Sequence, residues 1–439
     1  MKKLIIAGFA IATLGLTSCS EDDDMPIEQL ATCTDGIQNG NETGVDCGGA
    51  CAPCDGGDNG ENPQDEDLSG LLTEDFTLTN DVIWEINGKF VVGDGAVLTI
   101  EPGTIIKGAE GTGSLASALI VARGGQIMAE GTAEEPIVFT SINDNIELGQ
   151  KQGSNLDEND RGLWGGVLIL GRAPSSFEGD SEESQIEGIP ADDEFGRYGG
   201  NDPEDNSGIF KYVSIRHGGA LIGSGNEING LTLGGVGTGT VIDHVEVVGN
   251  VDDGFEWFGG TVNSSNLVAF AGGDDGLDID QAYSGTITNA LVILGAESDH
   301  GLEIDGPEGT FEDAFTIQDL TIIGDPNNPS GEIADLRDGA MGALNNVYVK
   351  NFNDGLNLEI DDAGSAANYT NGSLSFSAWE LVLPEGVASV SDVFNDTTET
   401  TTFSEDAADF ATAIDQDQET VGADLSGFGW TYASFRNAF

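Results

Sequence analysis

From Phe76 onward the chain alternates short apolar runs with turn-sized polar gaps. Phe90-Val-Val, Val97-Leu-Thr-Ile, Thr104-Ile-Ile, Ala118-Leu-Ile-Val-Ala, Gln126-Ile-Met and Ile137-Val-Phe-Thr follow one another, separated by Gly, Asn and Asp. Runs of this length, rich in Val and Ile and with no amphipathic helical stretch between them, predict many short strands and set aside βαβ folds. Internal repetition decides between a sandwich and a solenoid. Five segments align on a Gly that opens an alternating strand: Asn229-Gly230-Leu231, Asp253-Gly254-Phe255, Asp275-Gly276-Leu277, His300-Gly301-Leu302 and Asp354-Gly355-Leu356. The first four glycines lie 24, 22 and 25 residues apart, one coil of a right-handed parallel β-helix with three strands and three turns per rung. The 54 residues from Gly301 to Gly355 fit two coils with a lengthened turn at Asp325 to Ser330, and the rung near Gly331 to Asp338 has no assignable register.

A coil cannot bury its apolar side alone, so coils must stack. Leu231, Phe255, Leu277, Leu302 and Leu356 are expected to form one inward column, and Leu233, Trp257, Ile279, Ile304 and Leu358 the next. Strand parity then turns Glu256 and Phe258 outward, with Asp278 and Asp280, Glu303 and Asp305, and Asn357 and Glu359. Rungs about 4.8 Å apart bring Glu256, Asp278 and Glu303 into one ladder and Asp280 with Asp305 into a second. Asp253, Asp275 and His300 make a third at the preceding turn. Two unit charges at that spacing repel by roughly 3.5 kcal/mol at an effective dielectric of 20. A bound cation, raised carboxyl pKa values or plain solvation could answer this repulsion. Among cations calcium suits best, because it takes several carboxylate and carbonyl oxygens in flexible geometry. Glu256, Asp278, Asp280, Glu303 and Asp305 are the candidate ligands.

Composition sharpens the picture. With 14 Lys+Arg against 78 Asp+Glu the formal charge is −64, which makes nucleic acid and anionic lipid headgroups poor partners. Cations, neutral glycans, cationic proteins and metal-bridged anionic glycans remain.

The N-terminus reads as an export signal: Met1-Lys2-Lys3 precedes an apolar stretch, Leu4 to Leu16, too short to span a bilayer. Leu16-Thr17-Ser18-Cys19 resembles the bacterial lipobox, which implies a signal over 1–18, lipidation of Cys19 and membrane attachment through that anchor. The following Ser20-Glu21-Asp22-Asp23-Asp24 is similar to the acidic tether of surface lipoproteins in Bacteroidetes-type bacteria, implying a tether over 19–32 and display on the outer face of the outer membrane. Cys33, Cys47, Cys51 and Cys54 form an even set in an exported chain and are expected as two disulfides, with three connectivities open. Zinc is the alternative for Cys51-x-x-Cys54. The 33–54 segment resembles a small Cys-rich module found beside the anchors of secreted bacterial proteins, and 55–72 reads as a flexible acidic linker before a β-helix over 73–439. Phe76 to Thr99 is expected to cap that helix at one end and 376–439 at the other, with an insertion at Ser141 to Ser207 looping out to wall a groove.

Asn250-Val-Asp-Asp253, Gly273-Asp274-Asp275 and Asp299-His300-Gly301 resemble the motif series of polygalacturonase-type glycoside hydrolases, themselves parallel β-helices. The resemblance implies Asp275 as the acid, Asp253 and Asp274 as activators of water, and His300 beside them, a pair of carboxyl roles that inverting hydrolysis requires. The downstream Arg-x-Lys of those enzymes is missing. A polysaccharide lyase would need calcium plus a basic residue, for which parity points to Arg216, turned outward toward the ladders, over Arg337 and Lys350. Across most of 76–439, with Asp252 to Val262 as its longest run, the chain resembles a family of exported β-helix lipoproteins of Gram-negative bacteria that implies fold and location and no reaction. Three functions therefore stand: a calcium-binding surface protein for a glycan or protein partner, a glycan-degrading enzyme, and a structural envelope component.

Overall fold

The computed structural model describes residues 67–439 except 114–115, 191–192 and 221–227. The signal, Cys19 and the four cysteines of the 33–54 module lie outside the described residues. The chain winds as a right-handed parallel β-helix whose coils build three sheets. One, here the ladder sheet, stacks Ala118–Val121, Val167–Leu170, Leu231–Gly234, Phe255–Phe258, Leu277–Asp280, His300–Asp305, Glu332–Arg337, Leu358–Ile360 and Phe394–Asp396, each parallel to the next.

The other two sheets, base and back, share long strands such as Val241–Val248, Ser264–Phe270, Thr286–Ile293 and Phe315–Ile323. These strands bend at a residue with positive φ: His244, Asn266, Asn289 and Asp319 at 54°, 55°, 59° and 63°. Asn and Asp tolerate the left-handed region because their side chains bond locally. At this corner Asn289 Nδ2 donates to Asn266 Oδ1 at 2.7 Å, so the bends also bond from rung to rung.

Inside the coil the stacked columns are buried. Leu231, Phe255, Leu277 and Leu302 align, as do Leu233, Trp257, Ile279 and Ile304, all at 0–1% exposure. The next rungs correct the expected columns: Ala334 and Leu358 continue the first, Leu336 and Ile360 the second. Leu356 is buried in the turn before the strand, and Asn357 stands outside the strand as well. The chain makes an Asn353-to-Leu356 turn there and enters its strand two residues later than the Gly alignment implies.

Four boundaries also shift. Asp67–Leu72, placed in the linker, is a strand paired with Ile83–Val92, because Leu68 and Leu72 reach the core. Phe76–Leu78 and Val97–Ile100 are ordinary rungs of the base sheet, not a separate cap. Within the insertion, Val167–Leu170 is a rung of the ladder sheet, so the excursion is two loops around an apolar strand that the core requires. At the far end Phe376, Phe394, Phe403 and Phe410 close the core, with Phe376 and Phe403 centroids 5.0 Å apart. Residues 423–439 do not cap that end. They lie along the back sheet against Val248, Val268, Phe270 and Leu291, offering Phe428 and Tyr432 to a strip of apolar side chains that faces away from the core.

That strap covers Arg216, which is 1% exposed and stacks on the Tyr432 ring at 4.9 Å. Its parity is outward as expected, yet its strand half belongs to the back sheet, so it faces the strap and not the carboxylate ladders.

Candidate functional site: an acidic cleft on the ladder sheet

Strand parity sends every second residue of the ladder sheet outward, and parallel pairing then stacks like on like. The resulting column runs Glu256, Asp278, Glu303, Asp335 and Glu359, one residue per rung. Beside it, Asp280 and Asp305 lead to Arg337. The insertion covers the upstream rungs: Tyr198 packs edge-on to Phe258 at 6.0 Å and donates its hydroxyl to Gln281 Oε1 at 2.6 Å. Downstream the sheet is uncovered, and there a cleft of about 290 Å³ is lined by Asp253, Glu256, Asp275, Asp278, Asp280 and Glu303, with Glu187 contributed by the insertion.

The turn residues form a separate hydrogen-bonded column. Asn229 Oδ1 accepts from Asp253 N at 3.3 Å, Asp253 Oδ1 from Asp275 N at 3.0 Å, and Asp275 Oδ1 from His300 N at 2.7 Å. Each side chain thus satisfies the backbone donor of its equivalent one coil later, which explains why Asn or Asp stands before these glycines. Asp275 Oδ1 also lies 2.9 Å from His300 Nδ1. Burial disfavours the charged imidazole, but the Asp275 hydrogen bond and charge outweigh it and raise His300 to about 9.

Three carboxylates converge at the cleft floor. Oxygens of Asp253, Glu256 and Asp278 lie within 4.8 Å of one another, and the three residues are 5–8% exposed. Burial, followed by the charge of neighbouring carboxylates, pushes all three well above the ordinary carboxyl range. Asn229 Nδ2 donates to Glu256, whereas buried Asp278 Oδ1 has no hydrogen-bond partner among the described residues. Two oxygens bound to one calcium ion, each about 2.4 Å from it, are at most about 4.8 Å apart, so the three oxygens are close enough together to share an ion. Asp252, Asp253 and Asp274 make an adjoining set that shares Asp253.

The remaining predicted residues have other partners. Arg337 pairs with Glu303, with Asp305 through Nε at 2.7 Å and with Asp335 at 3.8 Å. Asp280 lines the cleft and is raised by burial and then by Asp305, while its Oδ1 accepts from Gln281 N at 2.6 Å. Burial and the neighbouring carboxylates raise Asp305 to about 7. The structure therefore brings Glu256 and Asp278 together with Asp253, which the sequence motif had placed in a catalytic set, while Glu303 and Asp305 line the same cleft paired with Arg337.

Sequence reasoning missed Asp335, Asn229 and Glu187, and turned Glu359 outward without assigning it to a ladder. Ala334-Asp335-Leu336-Arg337 carries the same in-out alternation as the other rungs, but without an opening Gly. Asn229 stood one position before the first aligned Gly, equivalent to Asp253. Nothing local marks Glu187, because only the fold-back of the insertion brings it to the cleft.

Residues 70–433 match the family model described as a pectate-lyase like beta helix domain. The chain belongs to that family. No curated protein and no solved structure matches the chain. The pectate-lyase-like β-helix is a scaffold compatible with glycan binding and with polysaccharide degradation, and its ladder sheet is where this member concentrates buried carboxylates.

Proposed function

We propose that this protein is a lipid-anchored surface protein, attached through Cys19 to the bacterial outer membrane, which holds calcium in the cleft and through it binds an acidic glycan. The carrying observation is Asp278 Oδ1, a buried acceptor without a hydrogen-bond partner among the described residues, inside a knot of three carboxylates. An unanswered buried charge costs several kcal/mol, and a divalent cation coordinated by all three carboxylates offsets two of their charges. A bound ion that keeps coordination sites open to the cleft would accept sugar hydroxyls or uronate carboxylates, which the protein's own charge would otherwise repel.

Binding is favoured over bond cleavage by two contacts. Asp275, the acid of the glycosidase-like series, has Oδ1 occupied by His300, accepting from its backbone N–H at 2.7 Å with Nδ1 2.9 Å away. Arg337, the basic residue at the cleft, is held by three carboxylates and is poorly placed to abstract a proton. Titration calorimetry with calcium tests the reading: wild type should bind with release of protons, and Asp278→Asn should bind at least tenfold more weakly. Equal calcium affinity in the two proteins would refute it.

A further inference from the structure

A second cavity lies at the turn from the ladder sheet to the base sheet, on upstream rungs that the acidic cleft does not reach. Its volume is about 320 Å³, and Arg123, Arg172 and Arg197 line it with Phe195, Asp94 and Glu194. Three of the chain's seven arginines thus meet in one place on a protein of charge −64. Chance distribution over so acidic a surface does not favour that, and like charges around one cavity repel unless neighbouring carboxylates or a bound anion answer them.

The convergence is built by the fold. Arg123 and Arg172 follow equivalent strands, Ala118–Val121 and Val167–Leu170, and so occupy the same turn one coil apart. Arg172 Nη2 reaches Asp94 Oδ1 at 3.2 Å and the Arg123 carbonyl at 3.4 Å. Gly124 makes that crossing possible: at φ 86° a Cβ there would lie 1.8 Å from Asp94 Oδ1 and 2.7 Å from Arg172 Nη2. Arg123 donates to the Gly199 carbonyl at 3.1 Å and pairs with Glu183, which fixes its direction. Arg197 comes from the insertion, on a two-residue strand whose other member, Tyr198, is anchored in the apolar layer. Parity turns Arg197 outward, and its guanidinium has no ion pair among the described residues.

We infer that this arginine cavity is an oxyanion-binding subsite, independent of calcium, for a carboxylate or sulfate group carried on a glycan chain. Guanidinium forks bind such groups bidentately. Asp94, 75% exposed, and Glu183, 43% exposed, hold Arg172 and Arg123 in place, and Glu194 also lines the cavity, so Arg197, which forms no ion pair among the described residues, is the guanidinium left to receive the ligand. Phe195 and Ala122 supply an apolar wall against which a sugar face can rest.

The test uses the full chain in EDTA at about 0.15 M salt, where long-range repulsion is screened beyond about 8 Å. Binding of oligogalacturonate, which carries only carboxylates, and of dextran sulfate, which carries only sulfate esters, is measured for wild type, Arg197→Gln, Arg172→Gln and Asp278→Asn. Wild type and Asp278→Asn should bind at least one of the two polymers alike, and each Arg variant should bind it at least tenfold more weakly with an unchanged circular dichroism spectrum. The polymer retained by wild type identifies the oxyanion. Absence of binding to both polymers in EDTA, or equal binding by the Arg variants, overturns the inference. Loss in Asp278→Asn alone also overturns it, because the anion would then depend on the acidic cleft.

Discussion

Asp278 stacks directly on Glu256, one rung further along the ladder sheet, and both carboxyl groups are buried against each other and against Asp253. Removing one of these charges should therefore stabilise the calcium-free protein. Asp278→Asn is expected to raise stability in EDTA by about 1–3 kcal/mol, the scale of one relieved carboxylate repulsion. Wild type should gain about 2.7 kcal/mol at calcium a hundredfold above its dissociation constant, and the variant, binding at least tenfold more weakly, at most about 1.4 kcal/mol at the same calcium. Thermal melts of both proteins with calcium and with EDTA check this.

The pH dependence has a definite sign. Asp253, Glu256, Asp278 and Asp280 are raised well above the ordinary range, and Asp305 to about 7, so the folded protein keeps protons that the unfolded chain has released. Stability then falls as pH rises from about 4 through these folded values. His300, raised to about 9, acts in the same direction, its contribution being complete below about 6.5 and lost as pH climbs through 9. In EDTA the melting temperature should drop between pH 5 and pH 8, and calcium should flatten the slope. A melting temperature that rises over this interval without calcium would contradict the buried-carboxyl account.

Glu246 ties the C-terminal strap to the coil. Its carboxylate accepts from Tyr432 N and Ala433 N at 2.9 and 2.8 Å and from Ser214 Oγ at 2.6 Å, while Ser214 in turn accepts from Arg216 Nε at 2.8 Å. Glu246→Ala should leave Arg216 buried without its counter-charge and cost about 3–5 kcal/mol. Urea unfolding measures the loss, and limited proteolysis should cut 423–439 first.

Phe255 fills the inward column between Leu231 and Leu277 and stacks on Trp257 with centroids 6.0 Å apart. Phe255→Ala is expected to cost about 3–5 kcal/mol through lost transfer energy and the cavity left behind. Denaturant titration checks the value, and a loss below 1 kcal/mol would mean the coil collapses around the gap.

Incubated with polyuronate and calcium, the protein should retain the polymer without shortening it. Reducing-sugar release and the ultraviolet absorbance of unsaturated uronate are the readouts. Turnover abolished by Asp275→Asn would replace the binding role with hydrolysis.

The strand parity of Leu277-Asp278-Ile279-Asp280 and the spacing of the aligned glycines already determined the β-helix and the ladder of Glu256, Asp278 and Glu303, because alternation and coil length are local properties of the chain. Register through Glu332–Arg337 was not legible, since that rung lacks the Gly marker and its position follows from Ala334 and Leu336 finding the core. Tertiary structure alone decided which charges are answered. Arg337 reaches back to Glu303 and Asp305, the strap buries Arg216, and the insertion brings Glu187 to the cleft and Arg197 to its cavity. Pattern places a side chain on a face, but its partner there is set by distances between segments far apart along the chain.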